Sequence, residues 1–187
     1  MLQDPGGRSP APEPLRAIQA FVNTLDIENG VEELSSPEAL AEVLVRTGLA
    51  EEVEPNGADL RVALEVREAL RALLLANNGV EIEAGALAPL ERAARSAQLG
   101  ARFDPDGEAR LLAHAPGVDG ALGRLVAIAV TARADGSLAR LKACRRDVCH
   151  WIYYDRSRNR GSTWCAMSVC GNRTKTRAYR QRHPRHS

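Results

Sequence analysis

No cysteine stands before position 144, so residues 1–143 have no thiol for a disulfide framework or a thiolate metal site. Long apolar runs are missing as well. The longest mostly apolar stretch, Leu125–Ala132, is far short of the about 20 residues a membrane-crossing helix needs. Met1–Pro14 has no apolar core, so no secretory segment is expected there. These absences lead to the expectation of a cytoplasmic chain in which thiols stay reduced. Lysine is almost absent. Arginine outnumbers it 23 to 2, a bias that a GC-rich genome explains as readily as function does. Catalytic signatures are also lacking: there is no phosphate-binding glycine loop and no His-Glu-x-x-His. His114 is the single histidine before the cysteines and falls in an expected strand, which suits a surface or packed side chain better than a base. No enzyme is expected.

Charge is present but divided. Residues 1–139 carry 12 arginines against 22 acidic side chains, a balance of −10. Residues 140–187 carry 13 basic side chains against Asp147 and Asp155, a balance of +11. The near-neutral total of +1 therefore hides a separate basic module. Aromatics divide in the same way. Phe21 and Phe103 stand alone in the first part, while Trp151, Tyr153, Tyr154, Trp164 and Tyr179 lie in the second.

The basic part holds all four cysteines. Cys144 and Cys149 bracket four residues, Cys165 and Cys170 bracket four more, and fifteen residues separate the pairs. Two short Cys-loop-Cys units joined in this way can surround one tetrahedral zinc, and the spacer is long enough for a two-stranded hairpin. Four thiolates leave no open position for water, so the zinc would be structural rather than catalytic. His150 and His183 are conceivable substitute ligands, but four cysteines complete the set. The alternative is four ordinary buried, reduced cysteines.

This stretch resembles the CGNR zinc-finger family. The matching residues are Trp151, Asp155, Ser157, Asn159, Trp164-Cys165, Met167 and the run Cys170-Gly171-Asn172-Arg173 with Lys175. Gly161-Ser162-Thr163 departs from the pattern, where such sequences more often carry Ser and Arg. The preceding part is similar to the helical ABATE domain, through Phe21-Val22-Asn23-Thr24 and the helical run ending in Arg67-Glu68. The resemblance implies a bacterial stress-related transcription regulator, with RNA binding also suggested for the finger, and no established ligand for the helical domain.

Read in order, Met1–Pro14 is rich in proline and glycine and is expected to be a disordered leader. A helix starts near Leu15 and ends in a turn at Asn29-Gly30. A capping box of Ser35 and Glu38, with Pro37 in the first turn, opens the next, which stops at Gly48. Asn56 or Asp59 caps a long helix to Ala76, with Leu60, Leu64, Leu70 and Leu74 on its apolar stripe. A weaker helix covers Leu87–Ala97. Residues 101–104 and 109–115 form a hairpin. Residues 117–134 form a helix whose Leu122, Leu125, Val126, Ile128, Ala129 and Val130 cover most of its circumference, as in a central buried helix. The boundary falls at Asp135-Gly136-Ser137. The expected fold class is α+β: a mainly helical N-terminal domain (15–138) with a β-hairpin, then a small treble-clef-like zinc finger (139–182) and a basic tail (183–187).

In the finger, Cys170 stands before an expected helix over 172–182, whose positive end would favour thiolate. Arg173, Arg177 and Arg180 form one stripe on that helix, widened by Lys175, Arg182 and Arg185. Arg156, Arg158 and Arg160 alternate along a turn as a second patch. Such guanidinium forks suit phosphate. Tyr154 is the aromatic most open to stacking on bases, whereas Trp151, Tyr153 and Trp164 fit a small core. Asp155, Ser157 and Asn159 alternate as in a calcium loop, but Arg160 and Ala166 occupy the places where that loop needs Gly and Glu. They are expected to bond turn amides instead. Three functions remain open: a DNA-binding regulator, expected first; an RNA binder; and a zinc-stabilised protein-interaction module. A homodimer through the helical domain, an unidentified small-molecule ligand, no membrane partner, and docking of the basic finger on the acidic domain complete the expectations. Chelation is expected to unfold residues 140–182 alone.

Overall fold

The computed structural model describes residues 8–172. Five helices are α1 (Leu15–Val22), α2 (Pro37–Arg46), α3 (Gly57–Ala76), α4 (Ala88–Ser96) and α5 (Gly117–Ala134). Three antiparallel two-stranded hairpins accompany them: β1 (Leu25–Asp26) with β2 (Val31–Glu32), β3 (Gly100–Phe103) with β4 (Ala109–Leu112), and β5 (Leu141–Ala143) with β6 (Ile152–Tyr154). The architecture is mixed helix and strand, mainly helical before the cysteines, as expected from the sequence. No helix among the described residues is long and apolar enough to cross a membrane.

Helix starts follow local chemistry. Asn56 and Asp59 both act at α3: the Asn56 side chain accepts from the Ala58 and Asp59 amides, and Asp59 accepts from the Asn56 amide at 2.8 Å. At α2 the cap is Ser36 rather than Ser35, accepting from the Ala39 amide at 3.2 Å. The register moves by one because Pro37 takes the first helical position, where its missing N–H costs nothing.

Helix α5 is central and packs on α1, α3 and α4. Leu122, Leu125, Val126 and Ala129 are buried, but Val130 is 47% exposed and Ile128 only partly covered. The buried band is therefore narrower than composition implied. Gly123 lets α5 approach closely, since a methyl group there would overlap the Ala97 methyl at the end of α4.

The buried face of α3 holds two arginines. Arg67 and Arg71 are each 3% exposed beside Ala63, Val66, Leu70 and Leu74. Arg67 makes a two-pronged pair with Glu32, at 2.6 and 2.7 Å, and bonds Thr24 Oγ1 at 3.2 Å. Arg71 donates to Glu68 Oε2, Val22 O and the His150 carbonyl at 2.9, 2.9 and 3.1 Å.

The last contact crosses to the cysteine-bearing part, and the connection is extensive. Strand β5 packs on α3 and β6 on α1. Leu141, Ala143 and Ile152 belong to the main hydrophobic core together with Phe21, Leu70 and Leu125. Side-chain amides satisfy the hairpin's free backbone groups. Asn23 brackets Ile152, accepting from its N–H at 2.8 Å and donating to its carbonyl at 2.9 Å. Asn77 donates to Leu138 O and Leu141 O, and Asn78 to Ala143 O and Thr163 O. Residues 8–14, within the stretch expected as a disordered leader, are placed in the structure, with Arg8 and Ala11 buried.

Candidate metal centre

The four cysteine sulfurs converge although their residues span 27 positions of chain. All four Sγ atoms lie within 4.8 Å of one another, and all four residues are buried. Cys149 and Cys165 Sγ are 3.8 Å apart, Cys165 and Cys170 Sγ 3.6 Å. These separations are too long for disulfides, and the cysteines are free. They match the sulfur–sulfur edge of about 3.8 Å that a tetrahedron with Zn–S bonds of about 2.3 Å requires.

Backbone geometry sets this convergence. Cys144 and Cys149 sit in the loop that joins β5 to β6, so the hairpin brackets the first pair instead of filling the spacer between pairs. The spacer supplies only β6; its partner strand precedes Cys144. The Cys144 amide donates to Trp151 O at 2.9 Å and the Cys149 amide to Arg146 O at 2.8 Å. Tight closure puts His150 at φ 47°. The second pair is folded by a π-type turn, Met167–Gly171, in which the Cys170 and Gly171 amides both donate to Ala166 O. The flanks are linked where the Arg145 amide donates to Thr163 O at 3.1 Å.

The donor chemistry calls for a cation. Held this close, four thiols cannot all ionise unless positive charge offsets them. Hydrogen bonds from Cys144 and then Cys149 pull the Cys165 thiol down to about 2. Contacts with Cys144 and Cys165, together with burial, push Cys149 far up. A divalent soft-ligand ion removes this conflict, and the residues present fit one structural zinc held by Cys144, Cys149, Cys165 and Cys170. When bound, zinc supplies a cross-link between two loops that share little core.

Tyr153 and the partly buried Trp151, Trp164 and Val169 wrap the sulfurs, while Tyr154 packs against the main core. Trp151 and Tyr153 therefore face the sulfurs and Tyr154 the opposite side. Tyr153 O–H donates to Ser162 O at 2.7 Å. Tyr154, expected to be the open aromatic, is half-buried, and the Arg156 guanidinium lies 5.8 Å over its ring.

The loop after β6 is built around a buried ion pair absent from the sequence expectations. Lys142 Nζ meets Asp155 Oδ2 at 2.8 Å and also donates to the Arg160 and Ser162 carbonyls. Asp155 accepts from the Ser157 amide at 2.9 Å and the Ser162 amide at 3.0 Å, and Ser157 Oγ from the Gly161 amide. The expected turn bonding by Asp155 and Ser157 is thus present, and the Lys142 ammonium is the cation the loop closes around. Arg156, Arg158 and Arg160 project from this loop, all exposed. Arg173, Lys175, Arg177 and Arg180, with Tyr179, Arg182, Arg185 and the expected helix they ride on, lie outside the described residues.

Burial would raise the Asp155 carboxyl, but the Lys142 bond and the Ser157 amide hold it below the ordinary carboxylate range. A depressed carboxyl stabilises the fold above its unfolded value, and the contribution is lost as pH falls through the folded value. Asp155→Asn is expected to cost about 3 kcal/mol at pH 7, since it strands a buried ammonium. That gap to wild type should shrink below about pH 4, as measured by urea midpoints.

Sequence reasoning does not single out Lys142 or Arg71, and it reads Asn77-Asn78-Gly79 only as a helix stop, whereas both asparagines hold the hairpin. Lys142 had one available signal: it is one of two lysines in an arginine-rich chain. Arg71 stands one turn from Arg67 inside an apolar helix face, a pattern that marks buried guanidinium groups.

Comparison with protein families finds two matches. The ABATE model, described as a putative stress-induced transcription regulator, matches residues 15–143. The CGNR zinc-finger model matches residues 140–183. No curated protein matches the chain.

Proposed function

Because the chain belongs to the ABATE family and carries a CGNR zinc finger, we propose that it is a DNA-binding transcription regulator whose finger holds duplex DNA mainly through phosphates. Neither family description is that of an enzyme. The observation that carries the reading is the loop of exposed Arg156, Arg158 and Arg160, braced from beneath by the Lys142–Asp155 pair. Guanidinium groups on a braced loop lose little freedom on meeting a phosphate backbone. The +11 balance of residues 140–187 extends the same field beyond the loop. In this reading the helical part, residues 15–138, senses a signal or mediates dimerisation, and the protein works in the cytoplasm.

Stacking on unpaired RNA is less well supported. Guanidinium groups already cover Trp151 at 4.7 Å and Tyr154 at 5.8 Å, which occupies the faces that bases would use. Docking of the basic finger on the acidic part has support from the Arg146–Glu28 pair at 2.8 Å, although most of the docking contacts are neutral amides.

Fluorescence anisotropy with duplex DNA and single-stranded RNA across salt concentrations tests the reading. Duplex should bind more tightly. Replacing Arg156, Arg158 and Arg160 with Gln should make the log-affinity against log-salt slope shallower by roughly 3. An unchanged slope would remove the loop from the interface, and tighter binding to unpaired RNA would favour the second reading.

A further inference from the structure

Residues 8–11 cross the finger as a strap. The Tyr154 amide donates to Ser9 O at 3.2 Å at the end of β6, and Arg156 Nη2 donates to Pro10 O at 3.0 Å. The Ala11 amide donates to Gln19 Oε1 at 2.7 Å, and Gln19 Nε2 returns to Ser9 O at 3.2 Å. Gln19 also donates to Ile152 O at 3.1 Å, which ties α1, strap and finger together.

These bonds place Arg8. It is 8% exposed, and its guanidinium carbon sits 4.7 Å above the Trp151 ring centroid. Trp151 packs directly on the cysteine cluster. The stack therefore sets a positive charge in the wall of the sulfur cage. Burying a guanidinium is costly unless an anion faces it. Among the described residues Arg8 forms no ion pair with a carboxylate. Its Nε and the neighbouring Trp151 Nε1 are buried without a hydrogen-bond partner. The groups on which Trp151 packs, beneath this cation, are the cysteine sulfurs.

We infer that Arg8 is the counter-ion of the zinc tetrathiolate, a guanidinium delivered from outside the finger by the strap. Four thiolates around a divalent ion keep two net negative charges, and a desolvated cation beside them relieves that excess. Arg146 does not serve equally. Its Nη1 lies 4.0 Å from Cys170 Sγ, but Glu28 already matches its charge at 2.8 Å. Zinc occupancy and strap docking then favour each other by the same factor. A loosened strap weakens zinc, and lost zinc releases the strap. The inference does not depend on nucleic-acid binding.

The test uses the full chain and two variants, Arg8→Met and Arg8→Ala. Zinc dissociation constants come from competition with a chromophoric chelator. The cobalt(II)-loaded proteins report the thiolate-to-metal charge-transfer band, and circular dichroism checks the fold. Methionine keeps an apolar stem on Trp151 while removing the charge. Both variants should bind zinc about tenfold more weakly or worse, the usual cost of losing an outer partner of a metal ligand. Their charge-transfer bands should move to lower energy, because the thiolates lose a positive neighbour. Wild-type zinc affinity with an unmoved band in Arg8→Met would overturn the inference, even if Arg8→Ala were weakened, since the loss would then be one of packing.

Discussion

Stripping zinc with a chelator lowers the melting temperature of the helices by roughly 10 °C or more. A self-contained finger would unfold alone and leave them untouched, which is the expectation that cysteine spacing and charge division encourage. The packing argues otherwise. Leu141 and Ile152 are fully buried in the core formed by α1, α3 and α5. Losing the burial of two such side chains costs about 3–6 kcal/mol. Gln19, Asn23, Asn77 and Asn78 would lose their hairpin carbonyls as well. Net stabilities of whole domains are only about 5–15 kcal/mol, so the helices cannot be indifferent. Structural zinc contributes about 10–16 kcal/mol of apparent binding energy in small fingers, which is ample to couple the two parts. Circular dichroism during melting, with and without chelator and after zinc is restored, is the measurement. Melting of the helical signal at the same temperature in both forms would contradict the shared core.

Arg71→Met should destabilise the protein by about 3–5 kcal/mol, among the largest effects of any substitution remote from the sulfurs. Methionine nearly fills the space, so the loss is chiefly of hydrogen bonds. The carbonyls of Val22 and His150 would be left with a donor missing, each at about 1–3 kcal/mol. His150 follows Cys149 directly and its carbonyl is the point held. The variant should therefore bind zinc more weakly as well as unfold at lower urea. Equilibrium urea unfolding and a zinc competition titration check the two effects. Loss of stability with zinc affinity intact would show that Arg71 serves the helices alone.

Much of the helical part was legible because its signals are local. Asn56 and Asp59 announce the start of α3, proline and serine the start of α2, and the apolar run the extent of α5. The sulfur cluster was legible because equal Cys-x4-Cys loops leave few other uses for four thiols. What the sequence concealed is long-range. Nothing near Asn23 says that its amide will bracket Ile152, 129 positions away. Nothing near Arg8 says that it will lie over Trp151. The ABATE resemblance marked Phe21-Val22-Asn23-Thr24 and Arg67-Glu68 without a reason. The structure supplies one: Phe21 and Val22 are core, Asn23 holds β6, Thr24 bonds Arg67, and Glu68 orients both buried arginines. The hairpin lies around the first cysteine pair and not in the spacer, a difference that spacing cannot reveal because it does not say whether a strand precedes or follows the first cysteine. The short pair β1–β2 shows in the sequence only as its turn at Asn29-Gly30, since two residues per strand carry no periodicity.

On the proposed reading, one zinc-dependent structure presents the basic surface to DNA. The most direct measurement is duplex binding by the zinc-loaded chain, the chelated chain and the chain reloaded with zinc, at two salt concentrations. Binding should be salt-sensitive, disappear on chelation and return with zinc. Equal binding by the zinc-stripped chain would contradict it, because loose basic charge would then suffice and the fold around the four cysteines would have no part in recognition.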